Sequence, residues 1–103
     1  MNEHAAISRE VVETIERVLR EFMGPYGLRR VGVSAGEDHD GTPVIFVVAE
    51  YDLSETPVDL GVTTALVTRL RDRLWELGEA RFPHVHHAFD ERQALKSRRK
   101  AHA

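Results

Sequence analysis

The chain of 103 residues contains no cysteine. Disulfides, thiolate nucleophiles and cysteine metal ligands are thereby excluded, and the absence fits a cytosolic protein. No apolar run approaches the ~20 residues that cross a bilayer. Residues Met1 to Ala6 have neither the basic region nor the apolar core of a signal peptide, so no membrane partner is expected. Also missing are Gly-x-Ser-x-Gly, a P-loop, Gly-x-Gly-x-x-Gly and His-Glu-x-x-His. With no catalytic motif, the chain reads as a non-enzyme. Internal repeats and low-complexity segments are absent too.

What is present is an ordinary globular balance, 42% hydrophobic and 30% charged residues, enough for one domain. The net charge of −3 is unevenly spread. Residues 1–90 carry 16 acidic and 9 basic side chains, a balance of −7, and residues 91–103 carry Glu91 against Arg92, Lys96, Arg98, Arg99 and Lys100, a balance of +4. An acidic body argues against a nucleic-acid surface, because phosphate contacts need concentrated Lys and Arg. The basic tail has no aromatic residue for base stacking and reads as a frayed, solubilising terminus. Residues 1–90 are expected to form a single domain.

Periodicity places five elements. Val11, Ile15, Val18 and Phe22, widened by Val12, Leu19 and Met23, predict a helix over Ser8 to Met23 with Ser8 as N-cap and Gly24-Pro25 as its stop. Val31, Val33 and Ala35 alternate with Arg30, Gly32 and Ser34 in a strand over Leu28 to Ala35. A polar loop with a turn signal at Asp40-Gly41 leads into Thr42 to Tyr51, the most continuously apolar run and the expected central strand, antiparallel to the first. A second helix over Pro57 to Leu77 follows from Val62, Leu66, Leu70, Leu74 and Leu77, with a capping-box shape at Thr56-Pro57-Val58-Asp59 and Gly78 as its C-terminal cap. Phe82 to Phe89 is the third strand, expected to run parallel to a neighbour through a right-handed crossover. The fold class is α+β, an α-β-β-α-β two-layer sandwich with two helices on one face of a three-stranded sheet.

Apolar residues occupy both sides of the central strand: Val44, Phe46 and Val48 on one, Ile45, Val47, Ala49 and Tyr51 on the other. Two helices cover one side. The excess implies a partner on the other, with a second copy of the chain the simplest choice. Candidate partner-binding residues are Val44, Phe46, Val48 and Trp75, and a homodimer is expected.

His84-Val85-His86-His87 is the sharpest chemical feature. Period two puts His84 and His86 on one strand face with Cβ atoms roughly 6–7 Å apart, a separation that suits two ligands of one zinc or nickel ion. A third ligand would come from Asp90, His39 or a second subunit. The competing structural role is two exposed strand histidines, with His87 partly buried and hydrogen-bonded. Glu37-Asp38-His39-Asp40 clusters carboxylates but lacks the later ligands of a calcium loop. Glu50 and Asp52 share a strand end without a pocket for acid–base work.

The stretches Glu37-Asp38-His39-Asp40-Gly41-Thr42-Pro43-Val44-Ile45-Phe46 and Ala80-Arg81-Phe82-Pro83-His84-Val85 look like those of small uncharacterised bacterial proteins of similar length, a resemblance that implies no activity. The α-β-β-α-β order also resembles the cytosolic domain of cation-diffusion transporters, which implies a dimer able to hold metal through strand histidines. Only His84 and His86 resemble that pattern, and the membrane segments of such transporters are missing. The reading that follows is a small interaction module that self-associates, with a metal-binding or metal-sensing domain as the alternative.

Overall fold

A computed structural model describes residues 6–54 and 56–89. The tail expected over 91–103, and Asp90 with it, lie outside the described residues. The element order is α1 (Arg9–Met23), a short 3₁₀ turn (Gly24–Tyr26), β1 (Leu28–Glu37), β2 (Pro43–Tyr51), α2 (Leu60–Glu76) and β3 (Phe82–Ala88). This is the α+β arrangement that the periodicity predicts. The strand order is β1-β2-β3, so the most apolar run is indeed central. β1 pairs with β2 antiparallel and β3 pairs with β2 parallel.

Local chemistry explains the boundaries. The Ser8 side chain accepts from the Val11 N–H at 3.2 Å and caps α1, satisfying one of the orphan donors at a helix start. Gly24 is the C-terminal cap of α1, as the sequence suggested. It stays in the right-handed region at φ −51°, and the chain continues into the 3₁₀ turn until Gly27 at φ 87°. A side chain at Gly27 would meet the Asp52 carbonyl at 2.8 Å. Glycine is needed there twice over, for the positive φ and for the close approach.

α2 begins later than expected. Asp59 supplies the cap, its Oδ1 accepting from the Gly61 N–H at 2.7 Å, while the Thr56 N–H donates to the Ser54 hydroxyl. The far end closes as a Schellman motif: Glu79 N–H donates to the Leu74 carbonyl and Gly78 N–H to the Trp75 carbonyl, with Gly78 at φ 79°.

The core lies between the helices and one side of the sheet. Val11, Ile15, Val18, Leu19 and Met23 of α1 meet Ile45, Val47, Ala49 and Tyr51 of β2 and Leu66, Leu70 and Leu74 of α2. Thr14 is buried among them, a position the apolar periodicity does not mark. The register places Val31, Val33 and Ala35 of β1 and Pro83, Val85 and His87 of β3 beside that inner face. No described helix is long and apolar enough to cross a membrane.

Candidate functional site

No described helix lies over the outer side of the sheet. In register across the strands this side presents Ser34, Phe46 and His84 in one row, and Gly32, Val48 and His86 in the next. Gly36, Val44 and Phe82 form the row toward the hairpin. Phe46, Val48 and Phe82 are 37%, 38% and 40% exposed.

Each of these side chains is held by a neighbour. The Phe46 ring leans over Gly36, and a Cβ built there would stand 2.4 Å from the ring. An edge-strand glycine covered by a cross-strand aromatic keeps its backbone shielded. His84 is flanked by Phe82 and Phe46, with ring centroids 5.0 and 6.0 Å away. The guanidinium of Arg71, on α2, sits 5.2 Å above the Phe82 ring, within the range of a cation–π contact. Trp75, on the same helix, is 73% exposed. Both Arg71 and Trp75 line an open cleft of about 350 Å³ between α2 and the start of β3, together with Asp72, Arg81 and Phe82.

Of the four residues expected to meet a partner, Phe46, Val48 and Trp75 are exposed. Val44 is not: only 2% of it is accessible, although it stands outside the main core cluster. In register it is flanked by Gly36 and Phe82, with Phe46 next on the same face. It therefore underlies the outer face and offers no contact surface of its own.

His84 and His86 are exposed and share the outer face, as their spacing requires. Among the described residues no three His, Asp or Glu side chains gather tightly enough to hold a metal ion. His39 lies beside Asp40, at 3.5 Å, in the exposed turn. Asp38 is committed to that turn, its Oδ1 accepting from the Asp40 and Thr42 N–H groups at 2.9 Å each. The Thr42 N–H is the main reason that the Asp38 carboxyl is held below the usual carboxylate range, and the nearby His84 adds to the effect. Glu37-Asp38-His39-Asp40 thus works as a hairpin turn stabilised by its own carboxylate.

Other ionisable groups have structural partners. Glu50 accepts from Arg30 Nε and lies 3.5 Å from Arg29, and the Arg30 bond draws its carboxyl below the ordinary range. Asp52 faces Arg29 at 3.6 Å. Arg81 binds both oxygens of Glu79 at 2.8 and 2.9 Å, and its backbone N–H adds a third bond at 3.0 Å. This clamp fixes the turn from α2 into β3, and nothing in the periodicity of the sequence announces it.

His87 points inward, where its Nδ1 lies 2.6 Å from the Tyr51 hydroxyl. Burial pushes Tyr51 up to about 12 and His87 below its ordinary value. The phenol therefore remains protonated beside a neutral imidazole, and the two share one hydrogen bond. Phe89 stacks on Tyr51 with centroids 4.6 Å apart. This is the buried, hydrogen-bonded role that alternation assigned to His87.

No family model, curated protein or solved structure matches the chain.

Proposed function

We propose that this chain is a small cytosolic, non-catalytic interaction module that works by self-association. The observation that carries the reading is the side of the sheet that no described helix covers, where Phe46, Val48 and Phe82 are exposed together. Contiguous apolar groups of this kind mark interaction sites in globular domains. Trp75 and Arg71 extend the surface around the edge of the sheet, and Trp and Arg are the residue types most enriched where binding energy concentrates. Among the described residues, Asp38, Glu50, Asp59 and Glu79 are engaged in a turn, a cap and ion pairs.

A metal-binding or metal-sensing role through His84 and His86 is the second reading. It is favoured by two exposed imidazoles on one face, the first of them within the field of Asp38. Sedimentation velocity at roughly tens of micromolar tests the first reading, because weak but specific dimers populate there. A dimer is expected, and a sharp monomer refutes self-association.

A further inference from the structure

β3 forms one edge of the sheet: β2 lies on one side, and no described strand lies on the other. Natural edges are blunted by charge, bulges or proline. β1, the opposite edge, carries Arg29, Arg30 and Glu37 and a register irregularity between Leu28 and Arg30. Residues 82–88 carry no Lys, Arg, Asp or Glu. The only blunting device on β3 is Pro83. A proline within a sheet sits with its nitrogen toward the open side, and successive residues present their backbone groups to opposite sides. Pro83, Val85 and His87 therefore offer their free backbone groups outward, and His84 and His86 bond to β2.

The helix above that edge exposes a large apolar side chain near each end of the same flank. Arg69 reaches over Phe22 of α1, so its side of α2 faces α1. The opposite flank is Leu60, Thr64, Thr68, Arg71 and Trp75, at helical spacing. It overhangs β3, as the Arg71–Phe82 contact shows. Leu60 and Trp75, near the two ends of this flank, are 82% and 73% exposed.

Resting on the self-association reading, we propose that two chains pair along β3 about a two-fold axis at Val85, so that Leu60 of each meets Trp75 of the other and His84 and His86 of both protomers stand together as a site for a divalent transition-metal ion. Antiparallel pairing centred on Val85 joins Val85 to its own copy, Pro83 to His87 of the partner, and His84 to His86 of the partner. Val85 exchanges both backbone bonds, and His87 donates to the Pro83 carbonyl. Only the donor that proline lacks is missing. His84 and His86 of the partner then form a non-hydrogen-bonded pair, the closer kind, with Cβ atoms ~4.5–5.5 Å apart. Along each strand the two imidazoles are ~6–7 Å apart. Four imidazoles at the corners of such a rectangle, all on the outer face, supply the nitrogen ligands that zinc, nickel or copper take. One protomer supplies two and is incomplete alone.

The helices obey the same axis. α2 runs opposite to β3, so two-fold symmetry lays it antiparallel to its copy and brings the Trp75 end to the partner's Leu60 end. The contact is self-complementary, as an isologous interface must be.

Sedimentation velocity on the whole chain, in EDTA and with Zn²⁺, combined with calorimetric Zn²⁺ titration, tests the proposal. The expected result is a dimer in EDTA, one zinc per two chains, and a dimer dissociation constant tightened about tenfold or more by excess zinc. His84→Ala/His86→Ala replaces exposed side chains, so it should keep the circular dichroism and the EDTA dimer while losing the zinc effect. Trp75→Asp should weaken the EDTA dimer, and Glu13→Arg, on the exposed side of α1, should leave it intact. A dimer broken by Val48→Asp but indifferent to Trp75→Asp overturns edge pairing while self-association stands. One zinc per chain, or none, overturns the shared site. A monomer under every condition overturns both.

Discussion

Gly36→Ala should destabilise the protein, although the backbone there is ordinary. Gly36 is not among the glycines at positive φ, so alanine suits its conformation and stiffens the unfolded chain, a gain of about 0.5–1 kcal/mol. Against this, the new methyl would stand 2.4 Å from Phe46 Cε2 and 2.9 Å from Cδ2. The backbone of β1 is fixed by its ladder to β2, so the ring must swing away. Lifting a phenyl face off a strand gives up about 70–100 Å² of apolar contact, or about 2 kcal/mol at 25 cal/mol per Å². The loss exceeds the gain, for a net destabilisation of about 1–1.5 kcal/mol. In a Phe46→Ala background there is no ring to displace, and the same substitution should stabilise by about 0.5–1 kcal/mol. The sign reversal amounts to a coupling of about 2 kcal/mol, within the range for residues in contact. Urea denaturation followed by circular dichroism, at one fixed low protein concentration, measures all four corners of the cycle. Equal stabilisation by Gly36→Ala in both backgrounds would show that the ring does not rest on Gly36, and the account of the outer face would fall with it.

Two further predictions concern the interior. Tyr51→Phe removes the hydroxyl that Nδ1 of His87 faces at 2.6 Å and should cost about 1–2 kcal/mol, since a half-buried ring nitrogen loses its partner. His87 also makes the wild type acid-sensitive. Its pKa is depressed by burial below the ordinary histidine value of about 6.5, so the unfolded chain takes up this proton more readily than the folded one. The associated stability is present above pH 6.5 and is lost as pH falls toward the folded value; urea midpoints at pH 7.5 and 5.5, with an NMR titration of the imidazole, check the direction. Leu70→Ala should cost about 2–5 kcal/mol, because Leu70 is wholly buried between the helices and β2 and the cavity has rigid walls on every side; a thermal shift corresponding to less than about 1 kcal/mol would contradict that placement.

The element order was legible because Val11, Ile15 and Val18 in α1 and Leu66, Leu70 and Leu74 in α2 recur at helical spacing, β1 alternates, and β2 is the most continuously apolar run. Helix ends were less so. Thr56 and Asp59 both have cap chemistry, and only the geometry reveals that the Asp59 carboxylate reaches Gly61 while Thr56 turns back to Ser54. Nothing in the periodicity marks Gly27, whose positive φ and close approach to the Asp52 carbonyl appear only in the folded chain. Which side of β2 stays open could not be read from β2, since both sides are apolar. The answer lies in its neighbours: Val31, Val33 and Ala35 align with Ile45, Val47 and Ala49, leaving Gly32, Ser34 and Gly36 beside Phe46 and Val48. That alignment depends on hairpin register, which the turn at Asp38 sets and local periodicity does not encode. Val44 was misjudged for a related reason. Alternation gives the side of a sheet but not how far its neighbours enclose a residue. The Glu79–Arg81 clamp left no trace because two charges in a turn look solvated until a helix end and a strand start close around them.

The middle strand acquires its two neighbours on different terms. β1 reaches β2 across residues 38–42, whereas β3 must wait for residues 52–81 to be laid down and folded back. Closing the longer interval has the larger entropic cost and comes later in folding. Until then the hairpin has one side of its most apolar strand bare, and the β3 segment of any nearby chain fits it as well as its own. Dilution at the moment of refolding should therefore favour the closed molecule.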